Sequence, residues 1–135
     1  MQLFTKKISQ VNLVLFVAGF LTITGNFTFL EKTLLIYPLS ENLLFLISLF
    51  LFLFTFLAAL LLLVSYRWTI KPILIFLLLV SSIVSYSTNN YGIVYDHNMI
   101  TNTFETDTSE FLDLVSFKSV LYFLIFGLLP SIIVW

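Results

Sequence analysis

The sequence predicts an all-α, polytopic membrane helix bundle with four hydrophobic helices and an amphipathic outer loop containing short helices. Three observations carry that expectation. The 135 residues are 60% hydrophobic and 10% charged, whereas an ordinary soluble domain is about 25% charged, and the mean hydropathy is +1.09. The apolar residues fall in long runs, each near the roughly 20 residues that cross a 30 Å hydrocarbon layer. The charged residues lie between these runs, as they must where ionised groups are costly at mid-depth.

The first run, 11–30, follows Lys6 and Lys7 and is closed by Glu31 and Lys32. It is longer than the 7–15 residues usual for the apolar part of a signal peptide, and no small-x-small cleavage site follows, so it reads as a retained first crossing. The second, 43–64, is the densest, with Ser48 and Thr55 as its only polar side chains. Tyr66, Arg67, Trp68 and Lys71 make the next connection a mixture suited to the membrane surface, where aromatic rings and long cations settle. Pro72 then falls in the first turn of the third run, 70–87, where a missing N–H is tolerated. The fourth run, 119–135, is a little short of a full span and is still apolar at Trp135. That ending predicts a chain that belongs to a longer protein.

The charges set the direction. Lys6, Lys7, Arg67 and Lys71 fall on one side of an alternating bundle, while Lys32, Lys118 and all seven acids fall on the other. By the positive-inside rule the N-terminus and the 65–71 connection are cytoplasmic, and 31–42 and 88–118 lie outside. Several functions drop out. No basic tract exists for nucleic acid. With no cysteine and the single histidine His97, thiolate chemistry and cysteine or histidine metal clusters are excluded, and Asp96 beside His97 makes a poor metal site. The helices carry no mid-depth charge, which argues against an ion-coupled carrier.

Small and polar residues recur at helical spacing in the first run (Gly19, Thr22, Asn26) and in the third (Ser81, Ser85, Thr88). Such stripes allow close helix packing and hydrogen bonds across a seam. Asn26 and the outer end of the third helix are also candidates for gripping a substrate.

The outer segment is richer. Asp96 is placed to cap a helix starting at His97. Asn102, Thr106 and Glu110 stand at four-residue spacing, which on a continuous helix makes a polar row about 12 Å long. A carboxylate to receive an ammonium, with an amide and a hydroxyl to donate to phosphate or ester oxygens, suits a zwitterionic lipid headgroup. A structural reading competes: Asp107 and Glu110 also form a capping-box pattern that would end one helix and start another.

Asn90-Tyr91-Gly92-Ile93-Val94, Asp96, Met99-Ile100-x-Asn102, Glu105-Thr106-Asp107 and Glu110, with Gly127 and Pro130 in the last run, resemble the N-terminal membrane domain of bacterial lipid A phosphoethanolamine transferases. That family includes the mobile colistin resistance enzymes. The resemblance covers the whole chain, and its most specific part is the stretch from Asn102 to Glu110. It implies a bacterial inner-membrane protein with five transmembrane helices and a large periplasmic domain. In that domain zinc and a threonine nucleophile transfer phosphoethanolamine from phosphatidylethanolamine to lipid A or a related acceptor, so no catalytic residue and no cofactor is expected within this chain. The resemblance also implies headgroup contact by Asn102, Thr106 and Glu110. The expected role is a membrane anchor that presents phosphatidylethanolamine, with membrane lipids as partners and the chain inactive alone. The alternative is a freestanding small helical membrane protein acting as a structural or partner-binding subunit, with a transporter third.

Overall fold

The structure, a computed structural model, describes residues 9–66, 68–92 and 116–135. These form α1 (Gln10–Thr24), α2 (Phe27–Ile36), α3 (Leu39–Leu63), α4 (Ile70–Tyr91), α5 (Phe117–Phe123), a π-helical turn (Leu124–Leu128) and α6 (Leu129–Val134), with no strand among the described residues. Helices α3 and α4 and the continuous unit Phe117–Val134 are each long and apolar enough to cross a membrane, and α1 with α2 makes a fourth candidate if that bent pair is one span. The chain is a multi-pass helical membrane protein.

Where the sequence predicts a single helix over 11–30, the structure has two, meeting at 55°. The cause is local. Gly25 stands where a Cβ would come within 2.8 Å of the Leu21 carbonyl and 3.2 Å of Ser81 Oγ, so its bareness lets α4 approach. Asn26 leaves the helical region (φ −115°, ψ 18°), and its Nδ2 donates to the Leu21 carbonyl at 3.2 Å, satisfying an acceptor at the end of α1. The Asn26 carbonyl then accepts from Leu30 N–H at 2.9 Å and opens α2. As a result the expected 31–42 loop is mostly helix. Glu31 and Lys32 lie within α2, and α3 begins at Leu39, right after Pro38.

The core gathers at the end of the bundle where α4 begins and α6 finishes. Leu13, Val14, Val17, Ala18 and Leu21 of α1 pack with Ala58 and Leu61 of α3, Ile70, Leu74 and Leu78 of α4, and Val134 of α6. Gly19 faces Phe54 of α3, 3.7 Å from where a Cβ would stand. Thr22 is fully buried and turns its hydroxyl back to the Ala18 carbonyl at 2.7 Å. The outer face of α3, including Leu44, Phe52 and Phe56, is exposed, as lipid-facing side chains must be. Helix α4 runs four residues past the expected 87 and ends at Gly92, whose left-handed conformation (φ 65°) closes it with an N–H bond to the Thr88 carbonyl.

The last helix is interrupted by Pro130, which has no N–H to donate and crowds the preceding turn. The backbone widens just before it, so Leu129 N–H reaches back five residues to Leu124. Ser131 Oγ donates to the Gly127 carbonyl at 2.6 Å. Gly127 also brings this turn against α4, where a Cβ would sit 2.5 Å from Ser82 Oγ. Gly127→Ala is therefore expected to destabilise the bundle by about 1–3 kcal/mol, the range for overpacking a tight contact. Paired with Ser82→Ala it should cost less than the sum of the two single changes. Unfolding titrations of the four proteins in mixed micelles measure this.

Candidate functional site

Opposite the apolar core, the far ends of α4 and α5 carry a cap of polar and aromatic side chains. Helix α5 opens with a reciprocal capping box. Ser116 Oγ accepts from Ser119 N–H at 3.2 Å, and Ser119 Oγ accepts from Ser116 N–H at 2.9 Å, so two backbone donors at the helix start are satisfied. The same Ser116 hydroxyl shares a hydrogen bond with Tyr86 OH at 3.1 Å, tying the start of α5 to the last turns of α4. Asn89 Nδ2 donates to Tyr122 OH at 3.5 Å, and Asn89 Oδ1 accepts from Thr28 Oγ1 of α2. One side-chain amide thus touches α2 and α5 from α4.

Aromatic rings support this cap from below. Tyr86 meets Tyr91 edge-on at 5.9 Å and Tyr122 at 5.5 Å, and Tyr122 meets Phe126 at 4.4 Å. Phe126 lies 6.4 Å from Phe20, which in turn is 6.4 Å from Phe16. These centroid distances are those of interacting aromatic pairs. The ladder runs from the polar cap down to α1. Tyr86 is buried, whereas Tyr91 and Asn89 are exposed, so the cap has a closed floor and an open top.

The described chain runs out of α4 at Gly92 and resumes at Ser116, both at this cap. The sequence-predicted row Asn102, Thr106 and Glu110, the capping pair Asp96 and His97, and the Asp107–Glu110 box lie outside the described residues. Of the other candidates, Asn26 spends its amide on the end of α1, Ser85 is buried in α4, and Ser81 packs against Gly25. Tyr86, Asn89, Ser116 and Tyr122 were not singled out by spacing. Their available signal was the placement of Tyr86, Asn89 and Asn90 at i, i+3 and i+4, which puts them on one side of a helix end.

Chemically the cap offers hydroxyl and amide groups, with the exposed Lys118 in the first turn of α5 beside them. Among the described residues no three His, Cys, Asp or Glu side chains gather where they could hold a metal.

The helices define a multi-pass, all-helical membrane domain with a polar cap at one end. Residues 53–135 match the family described as phosphoethanolamine transferase EptA/EptB, and the chain belongs to that family. It is 41% identical over 118 residues to phosphatidylethanolamine transferase Mcr-2 of Escherichia coli, covering 87% of this chain and 22% of that protein. It is 39% identical over 132 residues to phosphatidylethanolamine transferase Mcr-1 of Escherichia coli, covering 97% of this chain and 24% of that protein. The chain thus spans less than a quarter of the length of these curated relatives. No solved structure matches it.

The tie between α4 and α5 is open to a double-mutant cycle. Tyr86→Phe and Ser116→Ala are each expected to destabilise the domain, Ser116→Ala more because it also removes a helix cap worth about 1 kcal/mol. Their coupling energy, read from unfolding in micelles, should be about 0.5–1.5 kcal/mol, the net worth of one hydrogen bond.

Proposed function

We propose that this chain is the membrane anchor and donor-lipid-presenting part of a phosphoethanolamine transferase in the bacterial inner membrane. In this reading four hydrophobic helices cross the bilayer, the N-terminus is cytoplasmic, and the polar cap with an amphipathic outer loop faces the periplasm. The single observation that carries the role is the convergence of α4 and α5 on the cap. Gly92 and Ser116, between which the sequence carries Asn102, Thr106 and Glu110, both stand there, near Tyr86, Asn89 and Tyr122, at the surface of an otherwise apolar bundle.

Phosphatidylethanolamine carries an ammonium and a phosphodiester in one headgroup. The Glu110 carboxylate supplies the acceptor for the ammonium, and the Asn102 amide and Thr106 hydroxyl supply donors for phosphate oxygens. Holding the donor in one orientation at the bilayer surface gives up its freedom before the reaction begins, which is how positioning groups accelerate transfer. The names of Mcr-1 and Mcr-2 as phosphatidylethanolamine transferases support this choice of donor. The transfer step itself, to lipid A or a related periplasmic acceptor, we assign to the portion of such enzymes that this chain does not cover. Attaching an ethanolamine ammonium offsets the acceptor phosphate's negative charge, so whole-enzyme activity should lower susceptibility to cationic polymyxins.

The test uses the full-length enzyme at matched expression, with zinc content as the check on its folding. Glu110→Ala is expected to lower transfer from phosphatidylethanolamine by about 10–100-fold, the equivalent of one charge-assisted hydrogen bond of roughly 1.5–3 kcal/mol. Asn102→Ala and Thr106→Ala should lower it less, and the 135-residue chain alone should transfer nothing. Full activity in all three variants would overturn the headgroup role.

A further inference from the structure

We propose that α2 lies along the lipid headgroup layer as an interfacial helix, with the phospholipid surface beside the polar cap as its partner. Helix α4 serves as a ruler for its depth. Tyr66, Trp68 and Lys71 mark one membrane surface at the start of α4. Asn89 stands about 28 Å further along the helix from Ile70 at 1.5 Å per residue, close to the full hydrocarbon thickness of about 30 Å. Thr28, in the first turn of α2, donates to Asn89. By the same ruler Ser81, against which Gly25 packs, stands about 16 Å along, so the chain climbs from mid-depth through the Gly25–Asn26 break and nears the opposite surface in the first turn of α2.

From that level the 55° bend turns α2 away from the direction of α1. Glu31 and Lys32 occupy its middle and are both exposed, at a depth where ionised groups keep their water. On an α-helix Thr28, Glu31 and Lys32 share one arc with Leu35, which is 78% exposed at the C-terminal end of it. Phe29 and Ile36 flank it on one side, and Phe27 and Leu34 on the other. Phe29 and Leu34 are 48% and 46% exposed, and Thr33 is the residue of α2 that buries. A polar arc flanked by exposed apolar side chains is the pattern of a helix seated between headgroups and acyl chains. The apolar surface continues without a break into Leu39, Leu43 and Leu44 on the lipid-facing side of α3. Tyr37, whose ring lies tilted 4.9 Å from that of Phe45, sits at the turn between them, where aromatic rings anchor at a membrane surface.

The chain contains no cysteine, so single cysteines report depth without background. Phe29→Cys, Glu31→Cys, Lys32→Cys and Leu34→Cys would each carry a fluorophore in vesicles of phosphatidylethanolamine and phosphatidylglycerol. Quenching by nitroxides at graded acyl depths is compared with quenching by aqueous iodide, using Leu51→Cys as the deep reference and circular dichroism to check each fold. The expected series is non-monotonic. Labels at 29 and 34 should both lie deeper than those at 31 and 32, all within the roughly 5–10 Å that an interfacial helix samples, and all shallower than 51. A steady gradient of depth from 29 through 34 would make α2 part of a spanning helix and overturn the proposal. Labels at 29 and 34 screened from both quenchers would show a protein cover in place of lipid, and would overturn it equally.

Discussion

Inside a hydrocarbon layer no water is available to a peptide group, so each backbone donor and acceptor must find its partner within the protein. Three departures from regular helix among the described residues bear on that requirement. At Gly25–Asn26 the chain bends, and the Asn26 amide donates to the Leu21 carbonyl, which also keeps the Gly25 N–H. Asn42, just inside α3, leaves helical geometry (φ −124°, ψ 25°), and its amide donates to the Pro38 carbonyl at 3.3 Å. At Pro130 a wider turn and the Ser131 hydroxyl do the same work. Among the described residues no buried side-chain nitrogen or oxygen lacks a hydrogen-bond partner. Asparagine, serine and threonine are therefore where the helices are allowed to change direction.

The two ends of the bundle are built for different tasks. The end with Leu13, Val17, Leu74 and Val134 is a close-packed apolar core, which suits an anchor. At the other end the same helices exchange aliphatic packing for rings and hydroxyls, and Tyr86 is buried with its oxygen bonded to Ser116. Polar contacts between membrane helices are individually modest, averaging about 0.6 kcal/mol in one well-studied case. Their value here is geometric: they fix where α5 starts relative to where α4 ends, and so fix Gly92 and Ser116 relative to each other.

Much of this architecture was legible in the sequence because hydropathy reports lipid exposure directly. The apolar runs marked α3, α4 and the last helix, and Pro72 fell in the first turn of α4. The break in the first run was hidden because Gly25 and Asn26 sit inside a run whose length and overall hydropathy suit a single crossing, and the bend depends on Ser81 of another helix. The 31–42 loop was misread because a charged pair looks the same at the end of a crossing as in the middle of a surface helix. The polar cap was invisible for a different reason. Asn89 and Tyr122, or Tyr86 and Ser116, are about thirty residues apart, and their meeting depends on the rotation of each helix about its own axis. The row Asn102, Thr106 and Glu110 lies outside the described residues and rests on its spacing and on family resemblance.

The π-helical turn has a consequence for how the last helix meets α4. A turn closed over five residues takes up one more residue than an α-turn while advancing the chain to the same side, so it acts as a phase insertion. Tyr122 ahead of it and Phe126 within it join the aromatic ladder. Beyond it Pro130, Ser131 and Val134 are buried, and Val134 reaches the same core as Leu74. Removing one residue from 124–128 would restore an uninterrupted α-helix and rotate everything after it by about 100°. Pro130 and Val134 would then turn toward lipid while Tyr122 stayed at the cap. The irregular turn therefore sets the registration between the two ends of the domain, allowing one helix to serve a polar surface site and an apolar anchor together.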